Sequence, residues 1–135
     1  MALPKNVKEE LSIFNKACDD FVNSKLILIE KSISGILSTI AKRGQIYSVI
    51  AEEIVGYNFQ AEYETAIKSG SFDLVLNDKC VVPFVFNLLN EMDNGAIDIF
   101  AFIKKMFGDN DEKTYQMFCD LLIKNFMIRV QQLLE

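Results

Sequence analysis

Apolar residues recur at intervals of three and four along almost the whole chain, and that rhythm constrains the fold more than any other feature. Such spacing gathers side chains on one face of an α-helix. A strand-rich chain would instead alternate, with turn residues about every 8–12 positions. Two prolines and six glycines in 135 residues are too few to punctuate that kind of fold. With 50% hydrophobic and 24% charged residues, the chain has the make-up of a globular protein rather than a disordered one. The expectation is an all-α protein: one compact domain over residues 1–135, a bundle of about six to seven helices ending in a long C-terminal helix.

The first helix is expected over residues 4–22. Pro4 suits the first helical position, where its missing N–H removes nothing. Leu3, Val7, Leu11, Phe14, Cys18 and Phe21 make a single stripe, which marks a peripheral helix. The second, residues 24–42, differs. Ile29, Ile33, Ile36, Leu37 and Ile40 form its main stripe, Ile27 and Leu28 point elsewhere, and Ser34, Gly35, Ser38 and Thr39 supply a small-residue face. A helix apolar on several sides is usually buried, so this one is expected at the centre. A hydroxyl-lined ligand site is the less favoured reading of the small face. Gly44 is expected in the left-handed conformation that ends the helix.

A third helix, residues 45–55, should stop at Gly56, and Asn58 should cap a fourth over residues 59–68. Residues 71–83 alternate poorly and contain no Asn-Gly or Asp-Gly turn, which favours a helical turn over a hairpin. A helix with Pro83 in its first turn follows, placing Phe84, Val85, Leu88, Leu89 and Met92 in the core before Asn94-Gly95 ends it. Asp98 should cap a short helix running to Phe107. Its broad apolar arc, including Phe100 and Met106, predicts a nearly engulfed element. Asp109 and Glu112 have capping-box spacing ahead of the last helix. That helix should bury Tyr115, Phe118, Cys119, Leu122, Phe126, Val130 and Leu133. A second stripe, Met117, Leu121 and Ile128, falls on roughly the opposite side at about 100° per residue.

Chemistry has little to build on. Histidine is absent, which removes Ser-His-Asp and Cys-His arrangements and the commonest general base near neutral pH. The glycines stand singly, so no phosphate-binding loop is present. The carboxylate neighbours Glu9-Glu10, Asp19-Asp20 and Glu52-Glu53 diverge on a helix and form no dyad. Asn94-Gly95-Ala96-Ile97-Asp98 is similar to the middle of a calcium-binding EF-hand loop. In that register Met92 and Ala101 occupy ligand positions, so the oxygen cage is missing. Asp109, Asn110, Asp111 and Glu112 read as a capped, dipole-matched helix start rather than a cation site. The expectation is therefore no enzyme, no metal and no cofactor.

The net charge of −5, with 14 scattered basic residues, argues against nucleic acid and against an acidic membrane surface as partners. No apolar run approaches the length of about 18 residues needed to span a bilayer. The N-terminal residues lack the apolar centre of a signal peptide, and three scattered cysteines read as reduced thiols, so a cytoplasmic protein is expected. Two functional readings follow. The favoured one is a protein-protein interaction or self-association module using Met117, Leu121 and Ile128, with another protein or a second copy as partner. The alternative is a carrier or sensor of a small apolar ligand, held between helices by the phenylalanine-rich last third.

Overall fold

The structure is a computed structural model that describes residues 3–135; Met1 and Ala2 lie outside the described residues. Among those residues there are seven helices and no strand, as the apolar rhythm requires. They are α1 (Lys5–Val22), α2 (Ile29–Ala41, entered through a 3₁₀ turn at Leu26–Leu28), α3 (Gly44–Ile54), α4 (Phe59–Ser69), α5 (Val81–Asp93), α6 (Ile99–Phe107) and α7 (residues 112–134). The last is a continuous helix of 23 residues.

The centre of the bundle is α5, not α2. Its residues Val81–Val85, Leu88, Leu89 and Met92 are all buried, and it packs against α2, α3, α4 and α7. The helix expected at the centre buries one stripe only: Ile29, Ile33, Ile36 and Ile40. Ile27 is 82% exposed, and Ser34, Gly35 and Ser38 face outward. The reason is local. Ile27 and Leu28 belong to the 3₁₀ turn ahead of α2, so they never share its helical phase. Small hydroxyl side chains also gain little from being covered.

Gly44 likewise departs from expectation, since it opens α3 instead of closing α2 in a left-handed turn. The orphan N–H groups at that helix start are met from across the bundle. The Glu10 carboxylate on α1 accepts from Gln45 N at 2.8 Å and Ile46 N at 3.3 Å. Asn58 caps α4 and Asp98 caps α6 as the sequence implies, accepting from Ala61 N and Ala101 N. Residues 71–80 form turns, with the Asn77 side chain accepting from Lys79 N and Cys80 N just before α5 begins.

The helix α6 is not engulfed. Ile99, Phe102 and Ile103 are buried, but Phe100 is 37% exposed and Met106 and Phe107 are half-buried. A nine-residue helix lying mainly against α7 has too few neighbours to cover a broad arc. Between the two, Gly108 sits at φ 111°, ψ −128°, a conformation essentially reserved for glycine. The capping box at the start of α7 is Asp111 with Thr114, not Asp109 with Glu112. Asp111 Oδ1 accepts from Thr114 N at 2.9 Å, and Thr114 Oγ1 accepts from Asp111 N at 3.1 Å. Glu112 is thereby left to accept from Leu26 N at 3.1 Å, anchoring the turn before α2.

Candidate interaction surface

The sequence reading of function rests on α7, and its inner side is fully used. Tyr115, Phe118, Cys119, Leu122, Phe126 and Val130 are buried as expected, while Leu133 is only half-buried. Ile123, which lies outside the predicted core face, is buried as well. Its burial has a geometric cause. Phe118, Leu122, Phe126, Val130 and Leu134 follow at strict intervals of four, and such a series drifts about 40° per step around an ordinary α-helix. Residues Cys119–Ile123 form a π turn, whose wider i→i+5 bonding sets the helical phase back and keeps the series facing the core. The strict spacing of four was the available signal.

That turn also separates the members of the outer stripe. Met117 lies before it, Leu121 inside it and Ile128 after it. Met117 is 42% exposed and Ile128 50% exposed, whereas Leu121 is half-buried against the core. The straight projection that aligned the three does not carry across the π turn, so Ile128 is displaced around the axis relative to Met117. Beside Ile128 lies an open groove of about 210 Å³, floored by Leu76 and Val81 and rimmed by Asn77, Asn125 and Gln132. Its edge is held by Arg129, whose Nε donates to the Asp78 carbonyl at 3.1 Å. Along the same helix Asp120 pairs with Lys124 at 2.9 Å, both in solvent.

Of the phenylalanines in the last third, Phe102, Phe107 and Phe118 pack against one another, whereas Phe126 meets Phe14 and Phe100 is partly exposed. Phe72, Phe84, Phe102, Phe107 and Phe118 join Phe59, Tyr63, Phe21 and Tyr115 in one connected cluster, with neighbouring centroids 5.5–6.5 Å apart. At one margin the cluster meets a groove of about 300 Å³ between α4 and α6, lined by Tyr63, Ile67, Ala96, Ile97, Ala101 and Phe102. The small face of α2 borders another, about 360 Å³ between α1 and α2, with Phe21 and Ile36 at its base and Ser24, Ser32 and Thr39 around it.

Two of the three thiols, Cys18 and Cys119, are engaged in packing. Burial pushes the Cys119 thiol up to about 12 and raises that of Cys18 further, so neither is a nucleophile near neutral pH. Burial also raises the Tyr115 phenol, whose hydroxyl donates to the Phe21 carbonyl and ties α7 to α1. In the acidic stretch before α7, Asp111 and Glu112 are both spent on helix starts. Met92, in a ligand position of the loop-like stretch at Gly95, is a buried core residue. Among the described residues no three His, Cys, Asp or Glu side chains gather as a metal site, and no helix is long and apolar enough to cross a membrane. No protein-family model, curated protein or solved structure matches the chain.

Proposed function

We propose that the chain is a non-catalytic helical interaction module whose contact surface is the outer side of α7. The observation that carries this reading is the exposure of Met117 and Ile128 on a helix whose inner side is already saturated by its own core. A helix at the edge of a bundle needs one apolar face, and this one has large aliphatic groups on two. The three free cysteines fit a reducing, cytoplasmic setting for such a module.

Light scattering at micromolar and higher concentration tests the reading on wild type, on Met117→Glu/Ile128→Glu and on Leu121→Glu. The expected result is a concentration-dependent assembly that the double variant abolishes while it stays folded, melting where wild type melts when diluted to monomer. Monodisperse monomers throughout, with only Leu121→Glu destabilised, would mean that the stripe serves its own chain and would sink the proposal.

A second reading, carriage of a small apolar ligand, draws on the groove between α4 and α6, where Ile67, Ile97 and Phe102 offer an apolar lining. Native mass spectrometry of protein taken directly from cells checks it. A retained mass lost on Ala101→Trp supports it, and a bare polypeptide mass speaks against it.

A further inference from the structure

We draw no further inference here: the strongest candidate, the apolar groove between α4 and α6 whose lining includes Asp98 and Lys105, carries opposite charges that select no ligand class, and nothing in the structure shows what covers it.

Discussion

The two sides of α7 carry similar kinds of residue and meet different fates. On the inner side Phe118, Leu122, Phe126 and Val130 lose all contact with solvent, while on the outer side Met117 and Ile128 keep about half of theirs. Helical periodicity registers both sides equally, because it measures spacing and not what lies opposite. What separates them is the presence of α1, α3, α5 and α6 on one side only. The inner side is accordingly an energetic element of the fold, and the outer side contributes little to it.

The contrast can be broken most sharply from within. Phe118→Ala removes a ring that stacks on Phe21 and meets Phe102 and Phe107 edge-on. The expected cost is about 3–5 kcal/mol, read as a lower urea midpoint. A smaller effect should follow from alkaline pH. The Cys18 and Cys119 thiols ionise near 9.0 in the unfolded chain and higher in the fold. Above pH 9 the unfolded chain therefore holds fewer protons than the native one, and stability falls as pH rises. Thermal melts should drop on the order of 5 °C between pH 8 and pH 10.5, and Cys18→Ala should lessen the drop.

Smaller again is the loss of the cap that starts α7. Asp111→Ala leaves Thr114 N without its acceptor and should cost about 1 kcal/mol in the same melts. Ile128→Ser, on the outer side, should stay within about 0.5 kcal/mol of wild type. A cost there as large as that of Phe118→Ala would erase the distinction between the two sides.

Much of this was legible in the residues. The core positions of α1, α5 and most of α7 follow from three-and-four spacing, and Asn58 and Asp98 announce their helix starts. The errors have two origins: tertiary neighbours are invisible to a local pattern, and short 3₁₀ or π departures resemble an α-helix over a few residues. Ile27 and Leu28 read as extra faces of a central helix because a 3₁₀ turn cannot be told from an α-helix over three residues. Gly44 read as a helix stop because its true cap is Glu10, 35 residues upstream of Gln45. Phe100 read as buried because the arc of α6 is apolar, although little of the bundle reaches it. The π turn at Cys119–Ile123 was signalled only by a run of strict fours, and it alters the geometry of the outer stripe that suggested a function.

Concentration-dependent amide NMR spectra, from about 20 μM to 1 mM, test the central claim most directly. The outer side of α7 predicts shifts confined to residues 113–132 and the adjoining turn at 74–78, growing together with concentration. Spectra that do not change on dilution, or changes gathered at Ala17, Ser32 and Gly35 on the α1–α2 groove, would contradict it.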